Sequence, residues 1–353
     1  MPSASDVYRM LSGQAFGQTH LPTVDLSGKT FVITGGNTGK SRVGCSKAFV
    51  GIIPLSFATG ANHLPRARLK ASTLVLGCRS IQKGEAAISA ILSETHCASH
   101  TTIEVWEVDL DHYDSVVAFS RRMRSQLSRL DGFIANAGIE LTKFELSEGL
   151  ERTLTINLVS TYLLAIAILP KLQDTAVANT VDTRLTIVGS IIHVFAPVAQ
   201  LDVGQDQAIL TSLSDPKTAV MEQRYNLSKL MVHQMFVELV KHAPAPTGKH
   251  RAIINLVNPG WCGTELSRNK EAAAFERVAF SVIGWTSEKG SRTLVHAVTS
   301  GPESHGCYLS QRQITPQGSY MRGEHGGKVG KRLWEETIRR IRQIDPETAK
   351  YVS

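Results

Sequence analysis

The sequence predicts an α/β chain: a doubly wound parallel sheet in a single domain. Three observations carry this. Six short apolar runs recur along the chain, each bounded by turn-forming residues. The runs show little polar alternation, as expected of strands buried on both faces. The stretches between them repeat apolar residues at helical spacing, and strands alternating with helices imply parallel strands joined by right-handed crossovers.

The predicted strands are Thr30–Thr34, Thr73–Leu76, Thr102–Val108, Gly132–Ala135, Arg184–Val188 and Ala252–Val257. Predicted helices are Ile81–Ser93, Tyr113–Leu127, Glu151–Leu172 and Tyr225–Lys241, with another over Lys331–Ile344. Ala243 to Gly248, with two prolines, reads as a plain loop. Residues 1–28 are polar and mixed and read as a surface extension. Residues 29–300 form the Rossmann-type domain, with an atypical insertion at 40–66. Residues 301–353 read as a C-terminal extension packed on that domain.

Composition narrows the function classes. Of 353 residues, 42% are hydrophobic and 20% charged, which supports a large core in a globular chain. The net charge of +7 is spread over 38 scattered Lys and Arg residues. The densest stretches, Arg121 to Arg124, Lys331-Arg332 and Arg339-Arg340, read as solvated helical faces, so no nucleic-acid partner is expected. Met1 to Leu21 lacks the apolar segment of a secretory signal. Tyr162 to Pro170 is too short to cross a bilayer, so no membrane span is expected. The five cysteines (Cys45, Cys78, Cys97, Cys262, Cys307) are odd in number and lack C-x-x-C spacing. Neither a metal site nor a disulfide framework is indicated, which fits a cytoplasmic location. The helix around Asn157–Leu169 is apolar on more than one face, which permits a homodimer.

Three signals carry chemistry. Thr34 to Gly39 follows the first strand directly. Glycines there let a backbone approach a pyrophosphate, and a following helix would aim its amides at it; a simple turn reads equally well. Gly77-Cys78-Arg79-Ser80 ends the second strand, where dinucleotide folds meet the adenosine ribose. No carboxylate stands there to bind a 2′-hydroxyl; Arg79, with Lys83 one turn later, suits a 2′-phosphate. Tyr225 and Lys229 are four apart and share a helical face. A nearby ammonium favours the phenolate, so such a Tyr can exchange a proton with a carbonyl or alcohol oxygen. Taken alone, that spacing is common by chance.

In their order along the chain, these pieces resemble the short-chain dehydrogenase/reductase family. The matching residues are Thr34-Gly35 with Gly39, Asp109-Leu110, Asn136-Ala137-Gly138, Asn157, Ser190, Tyr225 with Lys229, and Asn258-Pro259-Gly260 with Thr264. The resemblance runs from about Leu26 to Thr264. Gly77 to Ser80, Gly290 to Leu294 and Lys331 to Trp334 are similar to the retinol-dehydrogenase-like branch and to fungal tailoring reductases of secondary metabolism.

The resemblance implies roles. Tyr225 is the acid/base, Lys229 lowers its pKa and holds the nicotinamide ribose, and Ser190 bonds the substrate oxygen. Asn157 holds a water linking Lys229 to solvent. Gly35, Asn37 and Gly39 cradle phosphate, Asp109 contacts adenine, and Asn136 lines the cleft. Pro259, Gly260 and Thr264 embrace the nicotinamide. Ser212, thirteen residues before Tyr225, competes with Ser190 by spacing. Ser190 is preferred because it ends a buried strand, whereas Ser212 reads as part of a polar loop. His193 reads as a structural or pocket residue rather than a base.

The pattern breaks after Gly39. Residues 40–66 hold three glycines and two prolines, which do not suit one helix. Residues near 40–54 read as translated non-coding sequence such as a retained intron, because Gly39-Lys40-Ser41 can be encoded by a string containing a splice-donor sequence. The expected activity is NADP(H)-dependent interconversion of a ketone and a secondary alcohol on a small, largely apolar secondary metabolite. The competing reading is an impaired scaffold that senses NADPH or binds a partner, because its phosphate loop is disrupted.

Overall fold

The computed structural model describes residues 2–17, 20, 22, 24–35, 70–95, 100–244, 248–262 and 283–352. The insertion expected at 40–66 lies outside these residues.

Eight strands form one sheet. They are β1 (Thr30–Thr34), β2 (Thr73–Cys78), β3 (Thr102–Glu107), β4 (Gly132–Ala135), β5 (Thr183–Val188), β6 (Ala252–Asn258), β7 (Tyr308–Ser310) and β8 (Gln313–Ile314). Their spatial order is β8-β7-β6-β5-β4-β1-β2-β3, parallel except for the antiparallel β8. The doubly wound α/β prediction therefore holds. The longer helices among the described residues are α1 (Ala4–Phe16), α2 (Ile81–Thr95), α3 (Tyr113–Gln126), α4 (Thr161–Asn179), α5 (Arg224–His242), α6 (Ser287–Thr299) and α7 (Glu324–Ile344).

Alternate residues of β1 feed two apolar layers. Val32 points into the layer built with α3, α4, α5 and α7, whereas Phe31 and Ile33 point into the one built with α2 and α6. Both faces of the central strands are thus covered, which is why their sequences do not alternate. The edge strand β3 is different. Its residues run exposed and half-buried, with only Trp106 buried, so the expectation of burial on both faces fails at this edge.

Three more readings are corrected, and the extension read over residues 1–28 contains a helix at Ala4–Phe16. Ser3 and Asp6 make a capping box at its start, each side chain bonded to the other's backbone amide. The helix predicted over Glu151–Leu172 is composite. A short turn, Arg152–Leu154, leads into a π-helical stretch, Thr155–Ser160, and then into α4. α7 begins seven residues before its predicted start, because Gly326, Gly327 and Gly330 weaken the helical signal there. Ser212 lies in a short helix, Ile209–Leu213, not in a loop.

The span Arg152–Asn179 is long and apolar enough to cross a membrane, but it is almost wholly buried inside the protein. α3 and the closing residues 346–352 pack on it, and α7 packs on α5. Residues 301–352 therefore supply two strands of the sheet and a cover for two core helices. The dense arginines are also engaged within the chain. Arg122 stacks 4.0 Å above Trp106, Arg124 lies 5.5 Å from the Tyr351 ring, and Arg121 pairs with Asp345 at 3.6 Å.

Candidate active site

β1 is flanked by β2 on one side and β4 on the other, so the connections after β1 and β4 diverge at the strands' C-terminal ends. Such a switch point is where doubly wound sheets hold ligands. Asn136 closes its floor. Its Nδ2 donates to the Thr34 carbonyl (2.9 Å), and its amide and that of Ala137 donate to Thr34 Oγ1 (3.1 and 3.2 Å). Gly35 turns the chain out of β1 with φ +68°, and its amide donates to the Gly77 carbonyl at 2.6 Å. Asn37, Gly39 and Thr264 lie outside the described residues.

Arg79 and Lys83 are both exposed, at the end of β2 and in the first turn of α2. Asp109 is half-buried after β3. Its amide donates to Ser115 Oγ (2.9 Å), and its Oδ1 accepts from the Asp111 amide (3.1 Å).

The start of α5 carries Tyr225 and Lys229 on one face. Lys229 Nζ lies 5.8 Å from the Tyr225 ring centroid and donates to the Val188 carbonyl at 2.9 Å. The end of β5 therefore holds the ammonium beside the phenol. Ser228 ties in the next element, its Oγ donating to the Tyr225 carbonyl (2.8 Å) and accepting from Asn157 Nδ2 (3.1 Å). Asn157 also clamps Ile139, donating to its carbonyl (2.9 Å) and accepting its amide (2.8 Å). The π-helical stretch supplies that side chain, a local irregularity often found at functional sites.

Ser190 stands two residues beyond β5 in extended backbone and caps the turn Ile191–Phe195. Two stacked histidines hold its main chain. His193 Nδ1 contacts the Ser190 carbonyl at 2.7 Å, and His193 Nε2 accepts the Gly318 amide at 2.9 Å. The Ser190 amide donates to His233 Nε2 at 3.4 Å, and His233 Nδ1 faces the Gln317 amide oxygen at 3.1 Å. These partners assign the proton to Nδ1 in both rings, which stack with centroids 3.8 Å apart. Burial pushes the His193 imidazolium down to about 4, and burial with the neighbouring His193 pushes His233 well below its ordinary value. Both are neutral at neutral pH, so His193 is a structural partner of Ser190.

On the opposite rim, Asn258 Oδ1 accepts the amides of Ile191 (3.1 Å) and Gly260 (3.2 Å), joining the turn after Ser190 to the Pro259-Gly260 turn. Gly260 has φ +82°, and a Cβ there would stand 2.6 Å from Trp285 Cε3. Only glycine satisfies both demands.

A short chain dehydrogenase family profile matches residues 70–195, beginning just beyond the stretch where the spacing of the sequence is broken. A short chain dehydrogenase/reductase of Cryptosporiopsis sp. (strain 8999) is 35% identical over 95% of this chain and 97% of its own. One from Aspergillus flavipes is 31% identical over 94% and 91% of the two chains. The chain belongs to the short-chain dehydrogenase/reductase family. Among solved structures, a Mycobacterium paratuberculosis protein aligns with a TM-score of 0.59 at 19% identity, over 96% of this chain and 98% of that one. A short chain dehydrogenase from Shigella flexneri 2a, complexed with NADP, aligns at 0.53 and 17% identity over 83% and 100%. These show the fold.

In this short-chain dehydrogenase/reductase Asn136 and Ser190 follow the interior strands β4 and β5, and Asn157, Tyr225 and Lys229 come to them from the π-helical stretch and from α5. His233 and Ser228 were not singled out from the sequence, whereas His193 was read there as a structural or pocket residue. His233 lies four residues beyond Lys229, so helical spacing alone could have placed it on that face.

Proposed function

We propose that this oxidoreductase uses NADP(H) to interconvert a ketone and a secondary alcohol on a small, largely apolar molecule, in the manner of a tailoring enzyme of secondary metabolism. The observation that carries the reading is the Lys229 ammonium held beside the Tyr225 ring, with Asn157 linked to the same turn of α5 through Ser228.

The described residues fit a phosphorylated dinucleotide. The crevice lies at the switch point, Gly35 leaves β1 in a left-handed turn, and β2 is followed by an exposed Arg79 rather than a carboxylate. The cofactor, when bound, supplies or accepts the hydride. Tyr225 Oη gives a proton to the carbonyl oxygen in reduction and takes it from the alcohol in oxidation. Lys229 stabilises the phenolate that results. Ser190 Oγ hydrogen-bonds the reacting oxygen, and Asn157 keeps the Tyr225–Lys229 turn in register through Ser228. Pro259 and Gly260 bound the nicotinamide side. We also infer a cytoplasmic location, supported by free thiols at Cys78, Cys262 and Cys307 among the described residues.

Tyr225→Phe tests the reading, because it removes the transferable proton and keeps the ring. Turnover of small ketones with NADPH should fall by at least ~10²-fold while NADPH affinity stays constant. Unchanged turnover would reject Tyr225 as the acid/base.

A further inference from the structure

Helix α1 precedes the sheet in sequence, yet its two buried polar residues, Asp6 and Gln14, bond to loops on both sides of the crevice. They are 2% and 5% exposed. Eight residues apart, they stand about 12 Å from each other along the axis.

Gln14 meets the rim that carries Gly260. Its Oε1 accepts the Trp261 amide at 2.9 Å, and its Nε2 donates to the Trp261 carbonyl at 3.1 Å and the Ile283 carbonyl at 2.9 Å. One side-chain amide thus satisfies both backbone groups of the residue after Gly260. The main-chain carbonyl of Gln14 accepts the Trp285 indole N–H at 2.6 Å, and that indole packs on the open face of Gly260. Two routes therefore run from Gln14 to the same turn, one through Trp261 and one through Trp285.

Asp6 fixes the other end. Its Oδ2 accepts from Ser319 Oγ (2.9 Å) and the Ser319 amide (3.3 Å). Burial raises its carboxyl, but the bonds from Ser3 and Ser319 outweigh that and hold it well below the usual carboxylate range. Ser319 follows Gln317 and Gly318, the partners of the two histidines behind Ser190. The helix also fits tightly. A Cβ at Gly13 would lie 2.7 Å from Gln311 Cδ, so α1 lies directly against the turn between β7 and β8.

We propose that α1 is a clasp that sets the Pro259–Trp261 turn against the nicotinamide end of the cofactor, with Gln14 as its positioning residue and Asp6 as its anchor. This rests on the assignment of Pro259 and Gly260 to the nicotinamide side. Gln14 touches neither cofactor nor substrate in this scheme; it acts through Trp261 and Trp285.

Two ligands of the full-length protein test it. NADPH reaches both ends of the crevice, whereas adenosine 2′,5′-bisphosphate carries only the adenosine half. Gln14→Met keeps the length and apolar stem of the side chain and removes its three hydrogen bonds. At a temperature well below its unfolding midpoint, it should weaken NADPH by ~10-fold, about the loss of one to two net hydrogen bonds. Binding of the bisphosphate should stay unchanged. Nicotinamide fluorescence reads the first, and displacement calorimetry the second. Should Gln14→Met not fold, Gln14→Glu at neutral pH is read in the same way, since it keeps the acceptor for the Trp261 amide and loses the two donations. Equal weakening of both ligands, or of neither, overturns the clasp. Failure of the unaltered protein to bind NADPH at all would sink the oxidoreductase reading first, and the clasp with it.

Discussion

Replacing Arg224 with Met should be among the most damaging single changes in the site, and removing its partner as well should undo most of the harm to stability. Arg224 and Glu151 are both 0% exposed, with Nε and Oε2 3.5 Å apart. Arg224 Nη2 donates to the Leu213 carbonyl (2.7 Å), and Glu151 Oε1 accepts the Thr153 amide (2.8 Å). Burial pushes the Glu151 carboxyl up and the Arg224 guanidinium down, in each case against the attraction of the partner. Desolvation is thus the larger influence on both groups, the regime in which a buried pair adds little net stability.

Leaving Glu151 alone in the core should cost roughly 3–5 kcal/mol. At about 2.1 cal/mol/K of unfolding entropy per residue, a chain of 353 residues shifts by about 1.3 °C per kcal/mol, so the thermal midpoint of Arg224→Met should fall by roughly 4–7 °C. The double variant Arg224→Met/Glu151→Leu leaves no charge at that place in the core, and its midpoint should return to near that of the unaltered protein. Thermal unfolding of the four proteins in a double-mutant cycle measures the coupling. A double variant as unstable as the sum of the two singles would refute the reasoning. Arg224 adjoins Tyr225, and Glu151 precedes the stretch that carries Asn157. The stability-restored double variant should therefore turn over about tenfold or more slowly, because it has lost the tie between those two elements.

Three further outcomes follow from the geometry. Arg79→Asp should weaken NADPH far more than NADH, since a carboxylate repels a 2′-phosphate but bonds a free 2′-hydroxyl; an unaltered preference in paired binding titrations would remove Arg79 as the selector. Burial holds His193 and His296 down at about 4 and His233 well below its ordinary value, whereas an unfolded His titrates near ~6.5. The unfolded chain then binds more protons below pH ~6.5, so this stability is complete above ~6.5 and lost as pH falls towards 4; a urea midpoint unchanged between pH 7 and pH 5 would contradict it. The apolar faces of α4 that permitted a homodimer are covered by α3 and residues 346–352 of the same chain, so sedimentation velocity should find a monomer, and a dimer would mean that another face pairs.

The sheet was legible because each central strand is buried on both faces, and that requirement writes an uninterrupted apolar run into the sequence. α5 was legible to within a residue at each end for a related reason, its apolar positions keeping helical spacing over five turns. What escaped was structure whose signal is polar. α1 announces itself only by Ser3 and Asp6, and the residues that dock it are an acid and an amide, which read as surface in any hydropathy pattern. The buried Arg224 and Glu151 were equally opaque, because charged residues are almost never fully buried unless paired and the partner lies 73 positions away. β7 and β8 are three and two residues long, too short for a two-residue period to be seen.

The strand ends favour Ser190 over Ser212 as the proposed donor to the substrate oxygen, although Ser212 stands nearer to the tyrosine in sequence. Ser212 sits in a short helix whose first amides, Ile209 and Leu210, are capped by the Glu336 carboxylate of α7. Its own amide is spent on the Ala208 carbonyl, in ordinary helical fashion. Ser190 lies two residues past Val188, whose carbonyl holds Lys229, so one strand end fixes both the ammonium and the serine. Its amide and carbonyl are each held by a buried neutral histidine, and the next amide in the chain is held by Asn258. A residue held through its main chain on both sides keeps its hydroxyl aimed, and the Ser190 oxygen, accepting the Ile192 amide at 3.3 Å, still has its O–H proton to give. Orientation of that kind is what a donor to a reacting oxygen requires, since small misplacements at a reacting centre are expensive in rate. The twenty-odd residues between the two serines lengthen the distance in sequence while Ser190 keeps its place at the end of β5, which supports the proposal that Ser190 bonds the substrate oxygen.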